Sequence, residues 1–228
     1  MKVHGILLAA GTGKRFQKDI NKAFYQYRER PLLYFSLNTF ASSNLFSTIT
    51  VIANKKDLEE VTNIVRSDDS FLSIKVIEGG NSRHESEQLA LKYLNQKRIK
   101  EEDLISIHDA ARPFLEMEVL KQLIGCAKSF GSSVPIIKAG PIVEKKKGKR
   151  IPHQEGIHHV QTPQTFQAKD LYKAYRKAKE DGWEGVDTVD CISRYTKVKA
   201  RVVNSSRLNM KITYLEDIEI LDELIGMQ

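Results

Sequence analysis

Cysteine is scarce: only Cys126 and Cys191 occur, far apart and without CxxC spacing. That excludes a zinc knuckle, an iron–sulfur site and a disulfide scaffold. Long apolar runs are missing too. The first, within MKVHGILLAAGTGKRF, gives way after six residues to glycines and charges. It suits neither a secretory core nor a membrane span. No other stretch approaches eighteen apolar residues, and no internal repeat or low-complexity segment stands out. A cytoplasmic protein is expected.

What is present is an ordinary globular composition, 41% hydrophobic and 29% charged over 228 residues. That is too apolar for disorder, and a chain of this length buries a substantial core without a staple. A single domain over residues 1–228 is expected. The 36 Lys+Arg against 29 Asp+Glu leave a net charge of +7. This balance suits anionic partners, whether polyanions or small phosphorylated molecules.

Short apolar runs alternate with helical patterns. Residues 3–10, 48–53, 74–80, 103–113 and 132–137 read as strands, several ending in glycine or polar turns. Helical spacing covers 31–43, 57–67 with Asp57 as N-cap, and 82–94 with Ser82 and Glu85 as a capping box. It returns at 116–130 and 169–182 and in a terminal helix from about Tyr214, with a further strand at 199–204. The alternation predicts an α/β fold, a Rossmann-like, mostly parallel sheet with helices on both faces. Right-handed crossovers then bring the loops after residues 10, 79 and 108 together on one edge, where open α/β folds bind ligands. Residues 138–161 break the rhythm with Gly140-Pro141, a lysine run and Gly148. They read as a protruding β-hairpin arm, with a basic loop as the alternative.

Three loops carry candidate chemistry. Gly11-Thr12-Gly13-Lys14-Arg15 follows the first strand, with Lys22 close behind. The stretch lacks the third glycine of a dinucleotide fingerprint, since position 16 is Phe16, and it lacks the phosphate-loop pattern, with Leu8 and Arg15 at the diagnostic places. A glycine turn beside several cations instead suits a triphosphate with a divalent metal, or simply a solvated basic loop. In EGGNSRHES, Gly79 and Gly80 allow close approach of a flat ligand, with Asn81 or Ser86 reading its polar edges; a plain turn before a helix is the alternative. In HDAARP, Asp109 can take a metal–phosphate or a sugar hydroxyl, Ala110 and Ala111 leave room for a ribose, and Arg112 can fork onto a phosphate. Thr162-Pro163-Gln164-Thr165-Phe166, Asp187-Thr188 and Asn209-Met210-Lys211 are ambiguous taken singly. The histidines show no zinc-like spacing.

Taken together, LLAAGTGKRF, Lys22, GGNSRHES, HDAARP, TPQTF and NMKIT resemble, in order and spacing, the sugar-alcohol-phosphate cytidylyltransferases. The 2-C-methyl-D-erythritol 4-phosphate branch is nearest, and the likeness spans nearly the whole chain. The resemblance implies that Ala9, Ala10, Gly11, Thr12, Gly13 and Lys14 line the nucleotide site and that Gly80, Asn81 and Ser86 read the base. It implies Arg15 and Lys22 as the catalytic cations, Asp109 and Ala110 at the ribose with Asp109 near Mg2+, and Arg112, Asp187 and Lys211 around the acceptor phosphate. CTP and a sugar-alcohol phosphate would be the substrates, and the arm would join a homodimer. Neither nucleic acid nor a membrane would be a partner.

Departures from the family pattern gather at the acceptor. Ala139-Gly140-Pro141 replaces the usual Asp-Thr pair, Gln154 an arginine, and Val186-Asp187 a Thr-Asp pair, while Ile142-Val143-Glu144 echoes the ribitol 5-phosphate branch. Ribitol 5-phosphate or another alditol phosphate therefore stands as an alternative acceptor. A basic nucleic-acid-binding module is the rival from another class. It would require clustered cations with stacking aromatics, whereas here acidic residues are interspersed among the basic ones.

Overall fold

In a computed structural model the residues described are 1–11, 13, 15–16, 21–138, 142–143, 150–151 and 157–226. Val3–Ala9 (β1) is a continuous apolar stretch buried along its length, as a central parallel strand must be. Gln26–Tyr27 (β2) and Arg30–Pro31 (β3) form a small hairpin of their own. Leu32–Ser42 (α1) then leads to Thr48–Ala53 (β4), Leu58–Arg66 (α2) to Lys75–Glu78 (β5), and Arg83–Gln96 (α3) to Leu104–Asp109 (β6). These strands pair in parallel in the order β6-β1-β4-β5. The repeated strand–helix–strand crossover is what the alternating sequence pattern predicts.

Beyond β6 the sheet becomes mixed. Met117–Phe130 (α4), closed by Gly131 in the left-handed region at φ 80°, feeds Ser132–Lys138 (β7). Ile142–Val143 (β8) and Arg150–Ile151 (β9) pair antiparallel as a separate hairpin within the expected arm; the rest of that segment's tip lies outside the described residues. His158–Val160 (β10) pairs antiparallel with β7. Gln164–Gln167 (β11) inserts between β6 and β7, antiparallel to both. Ala168–Glu180 (α5) and Thr188–Tyr195 (α6) precede Val202–Asn204 (β12), which runs parallel to β7, and Asp217–Gly226 (α7) ends the described chain. Among the described residues, eight strands share one sheet.

Two apolar layers cover the sheet. Leu7, Ala9, Val51 and Ala53 face Leu33, Leu37, Val61, Leu120 and Ile124 from α1, α2 and α4. Ile6, Ile52, Ile105 and Ile107 face Leu91, Leu171, Ala174 and Ile192 from α3, α5 and α6. The period-two alternation of β1 and β4 supplies both layers at once. A third cluster packs Phe16, Tyr27 and Leu32 against Leu208, Ile212, Ile218 and Leu221, tying the segment after β1 to α7.

Several local expectations change. Asp57 makes no side-chain cap on α2; its buried carboxylate accepts from Asn21 Nδ2 at 2.7 Å, while Asn54 caps the 3-10 turn that precedes the helix. Ser82 does cap α3, accepting from the Glu85 amide at 3.0 Å, but the Glu85 carboxylate takes the Asn81 amide. The last helix starts at Asp217 because that carboxylate captures the Thr213 and Tyr214 amides at 2.6 and 2.9 Å, holding Tyr214 outside the helix. TPQTF is largely strand β11, and Phe166 is fully buried there opposite Ile105. Phe166→Ala is expected to cost about 3–5 kcal/mol through the cavity it leaves. The shift of the urea midpoint at unchanged m-value measures it.

Candidate active site

The loops after β1, β5 and β6 meet at the carboxyl edge of the sheet around a cleft of about 500 Å³, a size suited to a nucleotide. Gly13, at φ 67°, turns the chain so that its carbonyl accepts from the Phe16 amide at 2.8 Å. This turn buries Phe16 in the α7 cluster and leaves Arg15 on the cleft wall. On the opposite wall a Cβ at residue 80 would lie 2.3 Å from Glu85 Cγ, so any larger residue there would displace the Glu85 side chain. The Gly80 amide donates to Ser86 Oγ at 3.1 Å, and Asn81 lines the cleft beside it.

Asp109 ends β6 buried among cations. Arg83 Nε donates to its Oδ1 at 3.1 Å, Lys211 Nζ to Oδ2 at 2.7 Å, and Arg112 Nε lies 3.9 Å from Oδ2. Burial pushes the carboxyl up, but the three cations outweigh it and hold Asp109 far below the usual carboxylate range. Asp109 is the one carboxylate among the described residues lining the cleft, and no cluster of three or more His, Cys, Asp or Glu forms among the described residues. A nucleotide-bound Mg2+ needs only one or two carboxylates plus substrate phosphates, so the donor set fits that ion and not an all-protein metal site.

A polar relay fixes the turn after β6. The Asp109 amide donates to Thr162 Oγ1 at 3.0 Å, and because the Arg112 carbonyl can only accept from His108 Nε2, Nδ1 of the neutral ring accepts from the Thr162 hydroxyl, also at 3.0 Å. His108 then carries its proton on Nε2 and donates to the Arg112 carbonyl at 3.0 Å. Burial pulls the His108 imidazole down to about 4, keeping it neutral at neutral pH. Asn209 joins the same support, donating to the Thr162 carbonyl at 2.8 Å while its own carbonyl accepts from Arg112 Nη1 at 2.9 Å.

Across the cleft, Asn21 accepts from the Ala23 amide and is itself held by Asp57, which sets the turn Lys22–Phe24. Lys22 Nζ donates to the Ile212 carbonyl at 2.8 Å. Burial and then Lys211 pull the Lys22 ammonium down to about 8, with Arg15 adding to the fall and Asp109 and Asp217 opposing it.

Comparison with known proteins gives the chain's family and fold. The family model described as IspD: 2-C-methyl-D-erythritol 4-phosphate cytidylyltransferase matches residues 3–226. The enzyme so named from Thermosipho africanus is 32% identical over 97% of this chain and 98% of its own. That of Thermosipho melanesiensis is 33% identical over 95% and 94%. The crystal structure of 4-diphosphocytidyl-2C-methyl-D-erythritol synthase from Anaerococcus prevotii superposes with a TM-score of 0.83 at 22% identity, covering 99% of this chain and 96% of that one. The chain belongs to the IspD family of cytidylyltransferases.

In this cytidylyltransferase the structure brings Ala9, Ala10, Gly11, Gly13, Arg15, Lys22, Gly80, Asn81, Ser86, Asp109, Ala110 and Lys211 to one cleft. Thr12 and Lys14 lie outside the described residues, as do Ala139-Gly140-Pro141, Glu144 and Gln154. Arg112 stands behind Asp109 and off the cleft wall. Asp187 also lies off the wall, where its carboxylate caps α6 by accepting from the Asp190 amide and also accepts from Gln164 Nε2. Arg83 escaped the sequence reading, although it sits in the SRHES motif; it reads as an ordinary residue of a helix's first turn until the fold brings its side chain to Asp109 at the end of β6. Among the described residues, no helix is long and apolar enough to cross a membrane.

The His108 relay has a pH signature. An unfolded imidazole titrates near 6.5 and the folded one near 4, so the unfolded chain binds the extra proton between those values. Stability from this group is complete above 6.5 and falls as pH drops toward 4. His108→Gln is expected to flatten that part of the acid slope, measured as urea midpoints between pH 7 and 4.5.

Proposed function

We propose that the cytidylyltransferase joins CTP to 2-C-methyl-D-erythritol 4-phosphate, giving CDP-methylerythritol and pyrophosphate for isoprenoid precursor synthesis. The observation that carries the residue assignments is the meeting of Arg15, Lys22, Asp109 and Lys211 on one cleft that also holds the Gly80–Ser86 turn. The turn takes the cytosine, Ala110 and Asp109 take the ribose, and the amides after β1 take the triphosphate.

An acceptor phosphate oxygen attacks the α-phosphorus in line, a new P–O bond forms, and the α–β bridging bond breaks to release pyrophosphate. A phosphate monoester is already anionic, so the residues need not act as a strong base. Their task is to hold two anions together and to screen them. Arg15 and Lys22 face the charge that develops on the phosphates. Lys211 leaves Asp109 for the acceptor phosphate, supported by Arg112, whose aim is set by Asn209 and by nearby Asp187. Mg2+ bound by Asp109 and the phosphates would add charge neutralisation. In the same reading two copies associate through residues 138–161, and the enzyme works in the cytoplasm.

A pyrophosphate-release assay with CTP and Mg2+, run in parallel on methylerythritol 4-phosphate and ribitol 5-phosphate, tests the substrate assignment. Preference for ribitol 5-phosphate would overturn it. In that assay Arg15→Ala and Lys22→Ala are each expected to lower kcat on the order of 10²-fold, whereas unchanged kcat in folded variants removes those roles.

Lys22 adds a proton signature. As pH rises through about 8 the amine loses its charge, so CTP affinity should fall across that range. Triphosphate binding at pH about 8.5 should then restore the ammonium and take up a proton. Calorimetry in two buffers of different ionisation enthalpy detects that uptake, which Lys22→Met should abolish.

A further inference from the structure

Glu87 lies one turn beyond Arg83 on α3, fully buried and off the cleft wall. Its Oε1 accepts from Arg83 Nη1 at 2.8 Å and from the Thr188 hydroxyl, and its Oε2 accepts from the Tyr175 hydroxyl at 2.6 Å. Residues of α3, α5 and α6 therefore converge on a single carboxylate. Burial raises the Glu87 carboxyl above its ordinary range against the pull of Arg83, Thr188 and Tyr175. Its ionised state leans on Arg83.

Arg83 in turn bridges two acids. Nη1 goes to Glu87, Nε goes to Asp109, and Nη2 is buried without a hydrogen-bond partner among the described residues. A guanidinium is planar with donors in fixed directions, so pinning Nη1 decides where Nε points. Glu87 also takes a share of the Arg83 charge, so Arg83 offsets Asp109 less completely than an unshared guanidinium would.

We propose that Glu87 is a positioning residue for cytidylyl transfer. From outside the cleft it aims Arg83 at Asp109 and divides the cation between the two carboxylates. Asp109 thereby keeps the orientation that the nucleotide and its metal require, with less of its charge offset by Arg83. The proposal rests on the reading of Asp109 as a nucleotide ligand and deepens it.

A double-mutant cycle on the full chain tests it, with Glu87→Gln, Arg83→Met and both together. The readouts are KM for CTP, KM for the acceptor, kcat, melting temperature, and CTP affinity by calorimetry with Mg2+. With Arg83 present, Glu87→Gln is expected to weaken CTP affinity and kcat/KM for CTP about ten-fold, leaving KM for the acceptor unchanged. In the Arg83→Met background the same substitution should add no further loss. A purely structural Glu87 would lower the melting temperature in both backgrounds and spare CTP affinity. Equal CTP losses in both backgrounds, or unchanged CTP affinity in a folded Glu87→Gln protein, overturn the proposal. Should Glu87→Gln fail to fold, Glu87→Asp keeps the charge, withdraws it by one methylene and completes the same cycle. CTP affinity is read without turnover, so transfer to a different acceptor would leave the test standing. A wild-type chain that binds no CTP would sink both readings.

Discussion

A carboxylate out of water is tolerated only in opposite company, and Asp109 is kept by Arg83, Arg112 and Lys211. Around it the charge does not cancel. Lys211, Arg83 (shared with Glu87) and, behind the wall, Arg112 surround Asp109, and Lys22 and Arg15 also line the cleft, so the cleft attracts anions while Asp109 stays ionised. Removing any one cation leaves the acid less well matched, and removing the acid leaves cations crowded together. The arrangement is therefore tolerant of an incoming phosphate and intolerant of truncation.

The sheet makes this possible by supplying position at little local expense. β6 is buried along its whole length and delivers Asp109 at its carboxyl end. The hydroxyl that accepts from the Asp109 amide belongs to Thr162, in the short link between β10 and the inserted strand β11. The neutral His108 closes the turn by bonding the Arg112 carbonyl. Strand ends of this kind hold a charged group more firmly than a free loop would.

Much of the parallel half was legible because period-two apolar runs, glycines and strand-ending charges mark it directly. The three site loops were legible for the same reason: Gly13, Gly80 and Asp109 each sit where a strand stops. Arg83 was not, since its partner Asp109 is 26 residues away and only the tertiary fold joins them. Glu87 has a buried destination that no local pattern announces; a carboxylate four residues after an arginine reads as a surface pair on a helix. β11 was hidden because a short polar segment becomes a central strand only through its two neighbours. Asp57 changed role for a similar reason, having Asn21 within reach as a partner from another part of the chain.

The α7 cluster brings together pieces that are far apart in sequence. Phe16 and Tyr27 flank the segment bearing Lys22, Leu208 and Ile212 flank Lys211, and all four pack on the same helix, with the Tyr27 hydroxyl donating to Asp222. The two basic banks of the cleft thus share one keystone at the carboxyl terminus. Their spacing is governed by that helix as a unit, so a shift of α7 would widen or narrow the gap between Lys22 and Lys211, even though α7 contributes no residue to the cleft lining.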